Sequence, residues 1–430
     1  MDSGSASQAK VSSLTAYRAF LNSGLIVFAA STVVNAGGFV FHAIASRRLG
    51  VEDYGALYAL ISLATMAAVP ISLFSPVIVK YAAEFRALHD DGHVRGLVAL
   101  VMRVFGLLGV LYVAAGFVFA PSIGQFLHVS PWEVPLIGLV AAVIVVSLAL
   151  RGIGTGIQSY GAYAGSLCME GVGKVAILFA FAFTGLTIGR GVAAFSCGLL
   201  AGLLAMAIPL MARYRGVQTL PIHLDYRRML ATAGGAAALT LTMAVMGFAD
   251  VVIVKHFFDP TSAGLYSAAS LAGKIMLYFV AFVPTVLIPQ ATHRFAQGQR
   301  TRETLWAGVA FIVVVSAVGI AAYRFWGMLL LHLLVGRAFD AAAPFLPGYA
   351  CAMALLALTN ALASYGIATH RLRFATPLIV ATMATLGSIA VFHPALSVVV
   401  AELVIGNAAM AFLVGAALAW QGRDSWVRSR

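Results

Sequence analysis

At 430 residues, 61% of them hydrophobic and only 10% charged, with a mean hydropathy of +0.96, the chain has too few polar groups to coat a water-soluble core. It reads as an all-α integral membrane protein. The net charge of +12 comes with no basic stripe interleaved with aromatics outside the apolar windows, so nucleic acid is excluded as a partner and membrane topology is left to account for the charge.

The chain begins "MDSGSASQAKVSSLTAYRAF", polar and Ser-rich, with no small-residue cleavage site after a short apolar run; the first span is therefore expected to stay as an anchor. A helix needs about 20 apolar residues to cross the hydrocarbon layer. Such windows fall at 20–46, 54–79, 97–120, 134–150, 162–186 and 191–212. After the polar stretch "RYRGVQTLPIHLDYRR" six more follow, at 229–254, 263–289, 304–322, 344–368, 374–393 and 395–420. The turns "APSIGQFLHVSPWE" and "FHPAL" read as tight reversals between neighbouring helices. The expected organisation is a cytoplasmic tail (1–20), an N-lobe (21–212), a cytoplasmic linker (213–228), a C-lobe (229–421) and a second cytoplasmic tail (422–430).

With the N-terminus inside, the tails and the loops after even-numbered spans collect 19 of the 27 Lys and Arg residues, counting Arg103 at the inner end of span three and Arg151 after span four. The outer side holds six, and Lys174 and Lys274 lie within spans. The positive-inside rule then puts both termini in the cytoplasm. Cys168, Cys197 and Cys351 all sit in apolar segments without a CxxC pair and read as small core hydrophobes.

"LYALISLA" (Leu57–Ala64) returns as "LYSAASLA" (Leu265–Ala272), an offset of 208 that also pairs Pro76 with Pro284, Ala83 with Ala291, Arg86 with Arg294 and Arg47 with Lys255. Span two is thus written again as span eight. An even difference in span number means that both copies run in the same direction, so the lobes are expected to be parallel repeats facing each other across a cleft. Pro70, Pro76, Pro284 and Pro289 fall inside these windows. Membrane helices tolerate proline generally, but the duplicated pair, Pro76 and Pro284, points to a bend that shapes the cleft or acts as a hinge.

The run "LGVEDYGALYALISLATMAAVPISLFSPVIVKYAAEF" (Leu49–Phe85), its counterpart "ADVVIVKHFFDPTSAGLYSAASLAGKIMLYFVAFVPTVLIPQATHRF" (Ala249–Phe295) and the phrase "LRGIGTGIQSYGAYA" (Leu150–Ala164) carry a family likeness. Through them the chain resembles bacterial polysaccharide flippases of the multidrug/oligosaccharidyl-lipid/polysaccharide (MOP) exporter superfamily. The resemblance implies twelve transmembrane helices in two six-helix lobes around a central cavity. It also implies a task, moving undecaprenyl-pyrophosphate-linked oligosaccharide across the bacterial inner membrane by alternating access. The implied partners are that lipid-linked oligosaccharide, membrane lipids and other polysaccharide-assembly proteins; no cofactor or metal is expected.

Charges inside spans cost about 2.5–3.5 kcal/mol each on insertion scales, which makes each one a candidate site. Lys274, eleven residues into span eight, is expected near the midplane, where its ammonium suits phosphate oxygens; the alternative is pairing with Asp250 or Glu170. Glu170 and Lys174, four apart, either pair with each other on one helix face or line the cavity and hold the head group. Asp250, near the outer end of span seven, is placed within reach of a wet vestibule. Asn35 offers an uncharged amide to the cavity or to a neighbouring helix. Arg48 and Lys80 flank the first hairpin and either snorkel or meet phosphate. Glu402 on span twelve is a candidate ion-coupling carboxylate or a helix-end acid. His42, His332 and His393 are scattered over different spans with no metal-site spacing.

Three other functions are set against this one. A multidrug cation exporter of the same superfamily would want acids lining the cleft, whereas the deepest basic residues here are lysines. A peptidoglycan lipid-precursor flippase of related fold stays open. A membrane glycan polymerase or glycosyltransferase would carry a long outer loop with catalytic groups, and the chain has none.

Overall fold

The structure is a computed structural model that describes residues 24–421 apart from 72, 223–235, 281, 285, 296 and 298. The tails expected at 1–20 and 422–430, most of the linker and the first turns of the C-lobe lie outside the described residues. All regular structure among the described residues is helical. The N-lobe comprises α1 (Gly24–Ile71), α2 (Ser75–Ala87), α3 (Asp91–Val118), α4 (Ala120–Leu127), α5 (Val134–Gly156), α6 (Tyr160–Thr184) and α7 (Ile188–Arg213). The C-lobe comprises α8 (Ala236–Phe257), α9 (Pro260–Val280), α10 (Val283–Ala296), α11 (Arg302–Leu334), α12 (Leu346–Ala368), α13 (Ala375–Val391) and α14 (Leu396–Gln421).

Ten of these helices are long and apolar enough to cross a membrane, and α13 is a shorter apolar helix. α1 holds the described part of the first window and most of the second. It is interrupted at Gly50, whose φ of 78° lies in the left-handed region that glycine enters without steric cost. In a straight helix His42 and Tyr58 would stand about 24 Å apart at 1.5 Å per residue, yet their rings are 5.2 Å apart. The chain therefore folds back at Gly50, and α1 is a hairpin of two arms. The arrangement is consistent with the twelve windows.

Three elements differ from their sequence reading. "APSIGQFLHVSPWE" is no bare turn, since it forms α4 and a 3-10 turn at Pro131–Glu133. A second 3-10 segment, Arg337–Phe345, joins α11 to α12. The duplicated prolines do not bend a continuous helix. Pro76 and Pro284 each stand in the first turn of a new helix, after Phe74 and Phe282 at the N-caps. There the missing N–H costs nothing, so span two and span eight are both broken at equivalent places, 208 residues apart.

Small residues set the helix spacing. A Cβ on Gly37 would come 2.6 Å from the carbonyl oxygen of Gly171, so α1 and α6 touch backbone to backbone. Gly198 and Gly202, one turn apart on α7, leave room for Lys174 and Glu170 of α6, whose Cβ atoms would lie 2.5 and 2.8 Å from added methyl groups. Between lobes, a Cβ on Gly55 would lie 2.7 Å from the Cα of Gly264. The starts of the two duplicated helices thus meet where the lobes touch near Gly50. Pro260 opens α9 with Asp259 before it, whose carboxylate accepts from the Ser262 backbone N–H at 2.9 Å. Hydrogen bonds from Ser262 hold that carboxyl below its usual range.

Candidate functional site

Between the lobes lies a cavity of about 380 Å³. Its walls follow helical periodicity. Asn35, Gly38 and His42 come from the first arm of α1, and Tyr58, Ile61, Ser62 and Thr65 from the second. Leu167, Glu170 and Lys174 come from α6, and Leu271, Lys274 and Tyr278 from α9; Arg151 of α5, Phe195 of α7 and Phe248 of α8 complete the wall. A larger groove of about 460 Å³ between α3, α5 and α7 is lined by Gly, Ala, Val and Leu alone and has no group that would orient a polar ligand.

The charges form two unequal sets. Glu170 is buried and accepts from Arg151 Nη2 at 2.7 Å and from Lys174 Nζ at 3.4 Å. Arg151 is anchored independently, because its Nε donates to Ser166 Oγ at 2.9 Å and Ser166 in turn donates to the Gly202 carbonyl at 2.6 Å. Lys174 lies over the Phe195 ring at 5.2 Å. Opposite them Lys274, also buried, donates to Tyr58 Oη at 3.0 Å and sits 4.7 Å from the Phe248 ring centroid and 4.9 Å from that of Tyr58. Ring faces supply part of what a counter-ion would. Among the described residues no carboxylate is in ion-pairing range of Lys274.

The structure therefore brings Lys274, Lys174, Glu170 and Asn35 to one cavity. It does not bring the other candidates there. Asp250, expected in a wet vestibule, is fully buried behind the cavity wall, with Oδ2 accepting from Tyr266 at 2.8 Å and Tyr349 at 2.6 Å. The bulk of these two tyrosines on α9 and α12 keeps water from it. Arg48 and Lys80 are exposed and line no part of the cavity. Glu402 accepts from Ser388 at 3.0 Å on the α13/α14 side, away from the cavity.

Two basic wall residues lack a place among the sequence candidates. Arg151 was counted with the loop after span four, but α5 continues to Gly156 and turns it inward. His42 shares the face of Asn35 at a spacing of seven, a signal that a search for metal spacing passes over.

The hydrogen bonds between lobes cluster at the Gly50 end. Arg47 donates to the carbonyls of His332 and Leu333 at 2.8 and 2.9 Å, so the guanidinium caps the C-terminus of α11 from the other lobe. Ser46 reaches the Val335 carbonyl at 3.0 Å, Thr261 donates to Glu52 at 2.8 Å, and His256 Nδ1 lies 2.7 Å from the Phe126 carbonyl. This end of the bundle is closed. Charge-assisted hydrogen bonds contribute about 1.5–3 kcal/mol, so Arg47→Ala should favour separation of the lobes here by about tenfold or more. In a chain carrying Glu52→Cys and Thr261→Cys, cross-linking by a short thiol reagent should fall correspondingly; unchanged yield would show that Arg47 does not hold this end.

A model of the family described as "Polysaccharide biosynthesis protein" matches residues 20–294. The chain belongs to that family. Stage V sporulation protein B of Bacillus subtilis (strain 168) is 25% identical over 256 residues, 57% of this chain and 49% of the relative, so the chain spans about half the length of that relative. In fold, the chain is similar to an inward-facing multidrug resistance MATE family transporter of the MOP superfamily, with a TM-score of 0.73 at 14% identity over 93% of this chain and 96% of the other. It is also similar to an outward-facing MATE transporter of the same superfamily, at 0.59 and 15% over 94% and 96%. The eukaryotic MATE transporter AtDTX14 gives 0.62 at 13% over 92% and 94%. The chain thus joins membership of the polysaccharide biosynthesis family to the fold of MATE transporters.

Proposed function

We propose that this transporter moves a lipid-linked oligosaccharide from the inner to the outer leaflet of the bacterial inner membrane, with the pyrophosphate passing through the central cavity. One observation carries the reading: the cavity wall holds three cationic side chains, Arg151, Lys174 and Lys274, and one carboxylate, Glu170. Moving a pyrophosphate through hydrocarbon unaided would be prohibitive, and a cationic excess in a site of low dielectric offsets the lost hydration. A volume of about 380 Å³ suits a head group and its first sugar, while the polyprenyl tail stays in lipid between the lobes. The same excess of positive charge disfavours a cationic drug as cargo.

The Gly50 end is the outer one in this scheme, which the distribution of Lys and Arg supports. The cavity then loads from the cytoplasm, and the closed end must part for release. Asn35 and His42 face the same space and are positioned to accept from or donate to sugar hydroxyls. The test is deletion of the protein in its own host, followed by analysis of lipid-linked intermediates. A glycosylated carrier should accumulate in the inner leaflet and surface glycan should fall. Accumulation of a peptidoglycan precursor would instead make that precursor the substrate, and unchanged lipid intermediates would remove the proposal.

A further inference from the structure

The cavity proposed to take an anion already contains one of its own. A carboxylate is a poor neighbour for phosphate, so the presence of Glu170 among three cations needs a reason. Its two partners are unequally held. Arg151 uses Nε and Nη2 on Ser166 and Glu170, while Nη1 has no hydrogen-bond partner among the described residues. A guanidinium has five N–H donors, so this one has donors to spare on the cavity side. Ser166 and the Gly202 carbonyl fix the arginine whether or not Glu170 is engaged. Lys174 is the looser partner, at 3.4 Å. Glu170, one helical turn before Lys174, is held only by these two cations.

From this geometry we infer that Glu170 is an internal stand-in for the substrate's phosphate, neutralising Arg151 and Lys174 in the empty cavity and yielding them when a phosphoryl group enters. The inference rests on the proposed anionic cargo and adds a mechanism of exchange to it. An empty pocket of three unpaired cations would be costly in low dielectric. Glu170 lowers that cost by pairing two of the three, and it also limits how tightly an anion binds, because each incoming oxygen must displace a carboxylate from the same donors. The site can then release its cargo on the far side, where the carboxylate reclaims the arginine. Uniformly tight binding would slow that step.

The probe is inorganic pyrophosphate added to the purified full-length protein in lipid nanodiscs, with binding read by calorimetry. Glu170→Gln keeps the shape and an acceptor oxygen for Arg151 but removes the competing charge. It should bind pyrophosphate at least tenfold more tightly than the unmodified protein. In a glycan-export assay it should lower the half-saturating substrate level and the maximal rate together. A merely structural ion pair predicts lower thermal stability and no gain in affinity, and that result overturns the inference. Should Glu170→Gln fail to fold, infrared difference spectra of the unmodified protein with and without pyrophosphate decide. A shift of a carboxylate band that saturates with binding is expected, and its absence refutes the exchange. Loss of pyrophosphate binding in Lys274→Met, with no gain in Glu170→Gln, would refute the stand-in alone. No binding by the unmodified protein or by Glu170→Gln would overturn the anionic cargo as well.

Discussion

Lys274→Met should cut glycan export at least tenfold while making the protein more stable. The ammonium is buried with a tyrosine hydroxyl and two ring faces around it, and no carboxylate is in ion-pairing range among the described residues. Desolvating a charge without a full partner is expensive. A side chain of similar length and no charge fills the same space, so melting of the purified variant should rise by the equivalent of roughly 1–2 kcal/mol, the usual gain when a functional strain is relieved. A lysine–phosphate hydrogen bond contributes about 1.5–3 kcal/mol, which is roughly ten- to a hundredfold in affinity. Surface glycan in a deletion strain complemented with Lys274→Met should therefore fall at least tenfold at equal protein level. A variant that exports normally would remove Lys274 from the substrate path. One that loses both export and stability would make it a structural residue.

Asp250→Ala should have the opposite profile, with a large loss of stability. Both tyrosines that serve Asp250 are fully buried. Tyr349 also meets Ser270 Oγ at 2.8 Å and keeps a partner after the substitution. Tyr266 does not. An unsatisfied buried hydroxyl costs about 1–3 kcal/mol, and the space vacated in a close-packed core adds about 1 kcal/mol more. The expected loss is about 2–4 kcal/mol, visible as a lower melting temperature and lower yield in the membrane. Asp250→Asn retains an oxygen for both hydroxyls and should recover most of it. Equal damage from Ala and Asn would mean that the negative charge, and not the acceptor, is what the site needs.

The duplicated octapeptide shows how far the sequence reaches. Tyr58 and Tyr266 are the same residue in two copies, as are Ser62 and Ser270. In the first copy Tyr58 accepts from the cavity lysine and Ser62 lines the cavity. In the second Tyr266 turns to Asp250 and Ser270 to Tyr349. Sequence register predicted the repetition but not this divergence, which depends on what stands opposite each face. The helix breaks at Phe74 and Phe282 were likewise legible as paired prolines, yet whether proline bends a helix or starts a new one is decided by the residues before it. Arg151 was missed for a different reason: a hydropathy window stops at the first charge, whereas the helix goes on for another turn because the arginine finds Ser166 and Glu170 inside the bundle.

The sequence alone determined the environment, the approximate spans and the doubling of the fold. Those follow from local quantities, namely the length of apolar runs set by bilayer thickness and the cost of charge within them. Only the tertiary structure decided which of the intramembrane charges share a space. Close approach at Gly37, Gly198 and Gly202 presses Glu170 and Lys174 against Arg151, while Asp250 is buried and bound by Tyr266 and Tyr349. Such pairings join residues on different helices, where the gain of one ion pair is set against the desolvation of both partners, and a one-dimensional pattern does not contain that balance.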